Sequence, residues 1–210
     1  MSELLIETHF LPCVEYFCTL ALYDNVVIEG HEHFVKQSYR NRCHILTAHG
    51  ADRFSVPLTA KHGKVSIRSV QIDYGYRWQT NFWRTLHSAY ANSPYFEHYK
   101  DDLHRELFSG EKYLFDLNQR LLSMCLTWLM WKKEITLSQE YGPTVGQEDL
   151  RNAISVKSDF THRSFFQPIP YQQVFGKAFV PNLSILDLVF CTGPDARHII
   201  EGSSQRRLNK

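Results

Sequence analysis

The densest group of polar side chains that could carry chemistry spans residues 29–42. Lys36, Arg40 and Arg42 are predicted to bind a phosphate or a carboxylate, because arginine offers two parallel N–H donors to either group. The alternative interpretation is a solvated charged loop whose arginines pair with the glutamates of the same segment. The substrate-binding side chains predicted in this segment are Glu29, Lys36, Tyr39, Arg40, Asn41 and Arg42.

Two histidines in the same segment, His31 and His33, are predicted to be catalytic, since either could act as a general base near neutral pH. Their spacing would also suit metal ligands on a strand, with His9 as a third ligand in a metal-dependent hydrolase. No wider metal-binding pattern accompanies them, and we predict no metal. His9 is instead predicted to bind substrate, with a structural histidine at a strand–helix turn as the alternative.

The C-terminal third contains a second set of candidates. Residues 166–175 form a proline–aromatic segment that is predicted to present Tyr171 and Gln172 to a binding site, or else to strap the core. Asn182 is predicted to cap a helix that begins next to it and to contact substrate. Asp187 lies on an otherwise apolar helix, and a buried carboxylate needs a partner, for which an arginine of residues 29–42 is the candidate.

The elements that must position these side chains begin with a strand–helix–strand pattern. Leu4–Ile6 and Val26–Ile28 read as buried strands, and apolar residues between them recur at helical spacing. Such a unit favours parallel pairing. In open α/β sheets ligands bind outside the carboxyl ends of the strands, so His9 and residues 29–42 are expected to face one crevice.

The remainder of the chain predicts a single α/β domain, with a mostly parallel sheet, flanking helices and an all-helical mid-chain segment. Residues 139–163 are polar and weakly periodic, and are predicted to be an extended loop. The domain is predicted to span residues 1–202, followed by a disordered tail over 203–210. Helices are predicted near residues 78–90, 95–108, 114–129 and 183–190, with a last turn to 200, and strands near 54–58, 65–72 and 134–137.

Composition narrows the function classes. The 210 residues carry a net charge of only +1, which disfavours nonspecific nucleic-acid binding. Nucleic acid is therefore not a predicted partner, except as the carrier of an aminoacyl donor. No apolar run of about 18 residues occurs, and no signal peptide is apparent, so we expect a cytoplasmic protein.

The five cysteines show no paired spacing and are predicted to be buried, reduced thiols. No dinucleotide, P-loop or serine-hydrolase motif occurs, and no cofactor is assigned.

Several segments together resemble the WbqC-like protein family, in the version of its shorter members from Bacteroides-like bacteria. The resembling segments are His9-Phe10-Leu11-Pro12, Tyr16-Phe17, Tyr23-Asp24, Ile28-Glu29, His33 and residues 36–42; Trp83, Ala89-Tyr90, residues 93–96 and 115–118; and residues 168–175, 179–190 and Gly193-Pro194. The similarity spans about residues 4–200, and its C-terminal run is the most specific part.

The resemblance implies a role in surface-sugar metabolism. Longer relatives belong to clusters for O-antigen assembly, and an aminoacyl (glycine) transferase role has been suggested for them. They carry a Gly/Ser-containing strand–loop motif where this chain has residues 139–163. The predicted function is a group (aminoacyl or acyl) transferase acting on a surface-polysaccharide sugar precursor, with a sugar nucleotide or an activated amino acid as small-molecule partner. The alternative is a noncatalytic binding or assembly protein that retains the cleft.

Overall fold

The chain begins with the predicted parallel strand–helix–strand unit. Strand β1 (Glu3–Glu7) leads through helix α1 (Val14–Ala21) to strand β2 (Asn25–Glu29). The two strands pair in parallel along their full length, so that Glu7 lies opposite Glu29. The computed structural model from which this follows describes residues 3–59, 63–142, 146–157, 160–162 and 165–205.

Two further parallel strands complete a four-stranded sheet of order β5-β2-β1-β6. Strand β5 (Glu134–Leu137) pairs with β2, as the sequence predicts. Strand β6 (Gln147–Asp149) pairs with β1 and corrects the prediction that residues 139–163 form an extended loop. Its three polar residues carry no apolar signal. They form a strand because the backbone N–H and C=O groups of β1 are available on that side.

One face of the sheet packs against helices. Leu4 and Ile6 of β1 and Val26 and Ile28 of β2 are inaccessible to solvent. Each such side chain stabilises the fold by roughly 1.5–3 kcal/mol relative to an exposed position. Helix α1 contacts the C-terminal helices α5 and α6 on this side, which ties both ends of the chain into one core. These two helices span Ile185–Thr192 and Ala196–Ser203.

The middle of the chain is helical, as predicted. Three helices follow one another, and α3 packs on both α2 and α4. Phe82, Leu86 and Tyr90 recur every four residues along α2 and are inaccessible to solvent, which is the stripe expected of a helix packed against a core. The bounds are Trp78–Tyr90 for α2, Phe96–Leu107 for α3 and Leu114–Trp128 for α4.

A hairpin connects the first unit to the helices. Strands β3 (Arg42–Thr47) and β4 (Gly50–Ser55) pair antiparallel. A turn of 3₁₀ helix at Tyr39–Asn41 precedes β3. Strand β4 ends before Pro57, and the segment 65–72, predicted to be extended, contains a 3₁₀ turn at residues 67–69.

Helix α5 ends at Thr192, just before Gly193, and helix α6 ends at Ser203. Gly193 closes α5 with φ 53°, and a Cβ at this position would lie 2.5 Å from the Tyr95 ring, so only glycine fits. The tail predicted from residue 203 is wrong at its start. Helix α6 continues past the predicted boundary, so that Ser203 is its buried last residue. Ser204 then forms a backbone bridge with Phe166. Residues 206–210 lie outside the described residues.

The fold is therefore an α/β domain with a parallel sheet flanked by helices and an all-helical middle. All five cysteines are free and buried, as predicted. Burial raises the pKa of the Cys18 and Cys191 thiols to about 12, which keeps both protonated. Within the described part of the chain, no helix has the length and apolar character needed to cross a membrane.

Candidate functional site

The carboxyl ends of the four parallel strands meet at one edge of the sheet. Glu29, the last residue of β2, is inaccessible to solvent. Its Oε1 accepts hydrogen bonds from Ser138 Oγ after β5 and from the His31 N–H, both at 2.7 Å, and its Oε2 accepts one from Arg151 Nη1 after β6 at 2.8 Å. Glu29 was predicted to bind substrate, and the structure instead engages both of its carboxylate oxygens within the protein.

Glu7, the last residue of β1, forms a pair with His9. The His9 Nε2 lies 3.1 Å from Glu7 Oε1, and both side chains are buried. The imidazole contacts the rings of Tyr16 and Tyr39, with centroid distances of 4.7 and 5.3 Å. The buried Nδ1 of His9 has no hydrogen-bond partner among the described residues.

Arg40 adds a buried ion pair beside Glu7. Its Nε and Nη2 bind the two carboxylate oxygens of Glu32 at 2.7 and 2.5 Å, and Nη2 also donates to Asn152 Oδ1 at 3.0 Å. Its Nη1 lies 3.9 Å from Glu7 Oε1. Asn152 contacts the group a second time, because its backbone N–H donates to Glu7 Oε2 at 2.9 Å.

These five residues, Glu7, His9, Glu32, Arg40 and Asn152, are called the carboxyl-end cluster. Burial lowers the pKa of His9, although Glu7 acts in the opposite direction. Burial raises the pKa of Glu7, but the hydrogen bonds from His9 and from the Asn152 N–H, together with the charge of Arg40, outweigh it and leave that pKa lowered. The imidazole is therefore neutral at neutral pH and the Glu7 carboxyl ionised. An ionised Glu7 requires the proton on Nε2, so Nδ1 presents a lone pair.

The prediction for Arg40 needs correction. Its guanidinium is buried and paired with Glu32, so it is not available to hold a ligand phosphate in this structure. The alternative interpretation was a solvated loop whose arginines pair with glutamates of the same segment. It is right that Arg40 pairs with such a glutamate, but it is wrong that the pair is solvated, because the pair is buried. Glu7 ends the strand that precedes His9. The argument that predicted His9 from its place at a strand end could therefore have identified Glu7 as well. No sequence signal identified Arg151 or Asn152.

His31 and His33 are both exposed. The His31 ring contacts the backbone oxygen of Ser138 at 3.0 Å, and His33 forms an isolated backbone bridge with Ser66. His9, in contrast, is enclosed by protein. Within the described residues, no three His, Cys, Asp or Glu side chains come together in an arrangement that could hold a metal ion, so the geometry gives the hydrolase alternative no support.

A surface pocket of about 580 Å³ contains three of the predicted binding residues: Lys36, Asn41 and Arg42. We call it the Arg42 pocket. Its other walls are largely apolar. They are formed by Phe34, Val56, Pro57, Leu58, Val65 and Val70, together with Gln37, Thr59 and Gly63.

The polar wall of the Arg42 pocket has unused hydrogen-bonding capacity. Arg42 Nε and Asn41 Oδ1 are both buried, and neither has a hydrogen-bond partner in the described part of the chain. Asn41 is fixed by its other side-chain atom, because Nδ2 donates to the Val56 carbonyl at 3.0 Å. Burial lowers the pKa of Arg42, with the charge of Arg53 adding to the effect. A bound anion would favour the charged guanidinium against both effects and would accept a hydrogen bond from the unpartnered Nε.

Asp187 lies in a separate network, far along the chain from residues 29–42. It accepts hydrogen bonds from Tyr90 at 2.9 Å, Tyr171 at 2.6 Å and Gln173 at 2.8 Å. The predicted arginine partner is therefore wrong. Two tyrosine hydroxyls and an amide satisfy this carboxylate without a cation, and burial raises its pKa against their effect.

The other C-terminal candidates also have structural contacts. Tyr171 is half-buried on Asp187, whereas Gln172 is exposed and contacts the backbone of Gln173. Asn182 does not cap α5, whose first turn is capped by Ser184. It binds the start of α1 instead. Its Oδ1 accepts the Glu15 N–H at 3.0 Å, and its Nδ2 donates to Glu15 Oε2 at 2.9 Å.

The chain is similar to known proteins over nearly the whole of the described domain. The model of the WbqC-like protein family matches residues 8–169 and 155–199. A similar curated protein is the Uncharacterized protein Rv1507c of Mycobacterium tuberculosis, which is 28% identical over 222 residues that cover 91% of this chain and 94% of the relative. No solved structure matches. The family match extends from residue 8, just before His9, to residue 199 within helix α6, and the chain belongs to the WbqC-like protein family.

Proposed function

We propose that this protein is a group transferase that holds an anionic sugar precursor of surface polysaccharide, such as a sugar nucleotide, in the Arg42 pocket. The observation that carries the proposal is the pair of buried, unpartnered polar atoms on the pocket wall, Arg42 Nε and Asn41 Oδ1. A phosphate oxygen would accept from the arginine, and a sugar or ribose hydroxyl would donate to the asparagine.

Charge and shape support an anion with an apolar part. Lys36 and Arg42 both line the pocket, and neither forms an ion pair with any described carboxylate. The apolar walls would bury a base or a sugar face, while the two cations would neutralise a phosphate. A pocket of about 580 Å³ is within the range of about 300–1,000 Å³ that small-molecule sites occupy.

The binding half of the proposal is tested by calorimetry with UDP-glucose as probe. Arg42→Ala is expected to weaken binding about 10- to 100-fold, which is the usual loss for charge-assisted hydrogen bonds. Arg84→Ala is the control, because Arg84 is exposed on α2 and does not line the pocket. Equal affinities in both variants, or no binding to the unaltered protein by UDP-glucose or inorganic pyrophosphate, would contradict an anion site here.

The transfer half rests on the family resemblance and on a general base, for which His31 and His33 are the proposed residues. Incubation with a sugar nucleotide and acyl or aminoacyl donors would reveal transfer as a mass increase of the sugar. Loss of that increase in His31→Ala or His33→Ala would identify the base. A persistent increase in both variants would exclude both histidines from the role.

Noncatalytic binding is the second candidate, and one observation favours it. Neither His31 nor His33 lines the Arg42 pocket, although His33 adjoins Phe34, which does. Ligand binding that depends on Arg42, together with no mass increase for any donor, would support this candidate over transfer.

A further inference from the structure

The hairpin of β3 and β4 carries three basic side chains on one face, beside the Arg42 pocket. Arg42 and His44 are two residues apart on β3, and His44 is paired directly with Arg53 on β4. Alternate residues of a strand point to the same face, so the Cα atoms of Arg42 and His44 are separated by roughly 6.5 Å. Arg53 is the diagonal neighbour of Arg42 across the ladder, which is within reach of two long side chains. The three residues Arg42, His44 and Arg53 are called the hairpin basic group.

The hairpin basic group has hydrogen-bonding capacity that the protein leaves unused. Arg42 Nε is buried without a partner in the described part of the chain. Neither ring nitrogen of His44 forms a hydrogen bond with any described residue, and the edge of the ring contacts Tyr39 at a centroid distance of 5.9 Å. The backbone of His44 is fixed, because its carbonyl accepts the Ser184 N–H before α5 at 2.7 Å. Arg53 is exposed, and its guanidinium has no ion-pair partner among the described residues.

Burial and charge together keep the His44 ring neutral. Partial burial lowers the pKa of His44 most, and the charges of Arg53 and Arg42 lower it further. Asp52, which precedes Arg53 on β4, opposes this effect without reversing it, and Tyr39 contributes an uncharged ring. The two guanidiniums therefore disfavour a proton on the imidazole. An anion bound between them would offset their charge and so remove part of the cause.

We infer that Arg42, His44 and Arg53 form an anion site in which His44 takes up a proton as the anion binds. The ligand group is one with two negative charges, as in a phosphate monoester or a diphosphate diester. The two guanidiniums bind its oxygens, and the ring gains one proton from solvent and donates an N–H to the same group, while no bond of the ligand breaks. This deepens the proposed function by adding a proton-linked contact beside the Arg42 pocket, and it rests on that proposal only for the identity of the anion as a sugar precursor.

Proton uptake is tested directly by an NMR titration of the His44 ring in the whole protein. The probe is sodium sulfate, because sulfate is a dianion that does not itself titrate near neutral pH. Sulfate is expected to raise the pKa of His44 by more than sodium chloride does at equal ionic strength. His49, which is exposed in the turn of the same hairpin, is the control and should respond equally to both salts. An equal response of His44 to the two salts would overturn the inference.

The location is tested by removal of one guanidinium. Arg53→Gln is expected to increase the sulfate concentration at the half-maximal response about two- to fivefold, which is the usual worth of an exposed ion pair. The pKa of His44 without sulfate should increase in this variant, since the charge of Arg53 depresses it. Arg84→Gln, on the exposed side of α2, is the matched control and should change neither quantity. An unchanged sulfate response in Arg53→Gln would overturn the site.

The linkage to ligand binding is measured with UDP-glucose, whose diphosphate diester does not titrate near neutral pH. Calorimetry at about pH 6.5, in two buffers of different protonation enthalpy, is expected to show net proton uptake by the unaltered protein. His44→Gln keeps an N–H donor but cannot titrate, so it should bind without this uptake. Binding by the unaltered protein without proton uptake, or equal uptake in His44→Gln, would contradict the role of His44.

The failure of this inference is distinguishable from the failure of the proposed function. UDP-glucose binding that Arg42→Ala weakens, together with no proton uptake and no sulfate response of His44, would reject only the proton-linked site. A sulfate response of His44 in a protein that does not bind UDP-glucose would reject only the sugar nucleotide as the ligand.

Discussion

The guanidinium of Arg40 and the carboxylate of Glu32 are joined at two points inside the protein. The Nε–Oε1 and Nη2–Oε2 distances are 2.7 and 2.5 Å, and the two side chains are 2% and 5% exposed. Such a pair contributes little net stability compared with apolar residues of the same shape, but removal of one partner leaves an uncompensated buried charge. Arg40 therefore has a structural role even though the sequence assigned it to ligand binding.

Arg40→Ala is accordingly expected to destabilise the fold by about 3–5 kcal/mol, as measured by urea unfolding. Arg42→Ala provides the comparison, because Arg42 lacks an ion pair among the described residues and is expected to change stability by less than about 1 kcal/mol. Similar free energies of unfolding for the two variants would show that the Glu32 pair is not important to the fold.

His9 is expected to make stability depend on pH. Burial holds its pKa below the value of 6.5 that it has in the unfolded chain. Its contribution is thus fully present above that value and is lost as the pH falls towards the lower pKa of the folded state, because only the unfolded chain takes up the proton.

The measurement is the urea midpoint between about pH 7.5 and about pH 5.5, on either side of the unfolded pKa. His9→Gln is expected to show a smaller fall than the unaltered protein, since glutamine can donate to Glu7 but does not titrate. The exposed His49→Gln is the control and should fall as the unaltered protein does. An identical fall in His9→Gln would contradict the depressed pKa.

Tyr171→Phe is expected to cost about 1–2 kcal/mol, because it removes one of three donors to the buried Asp187 carboxylate. Each donor matters because the buried carboxylate cannot replace a lost hydrogen bond with one from water. Tyr76→Phe is the matched control, since Tyr76 is 69% exposed and its loss should change stability by less than about 0.5 kcal/mol. A Tyr171→Phe protein as stable as the control would mean that Tyr90 and Gln173 suffice.

Asn182→Ala is expected to destabilise the protein by about 1 kcal/mol or more through loss of the cap on α1. The residue has φ 57°, which alanine disfavours, so Asn182→Gly should be less harmful because it removes only the side-chain contacts. Thermal unfolding of both variants checks the order. An alanine variant more stable than the glycine variant would contradict the role of the positive φ, and two variants as stable as the unaltered protein would contradict the role of the cap.

The sequence by itself determined the elements with strong local patterns. Leu4–Ile6 and Val26–Ile28 are short apolar runs with a helical repeat between them, and this was enough to predict the parallel unit. The apolar stripe of α4 likewise predicted its position within one residue at either end. Strand β6 has no such pattern, because its pairing depends on an edge of β1 that is distant in the chain.

The tertiary structure alone decided which polar residues act together. The run Arg40-Asn41-Arg42 reads as one cationic group. A 3₁₀ turn instead directs Arg40 inward to Glu32 and places Asn41 and Arg42 on the wall of the Arg42 pocket. Asn152 reaches Glu7 across 145 residues. Pairings of this kind follow from strand order and loop direction, which local residue patterns do not encode, so the sequence named many of the participants and the fold chose their partners.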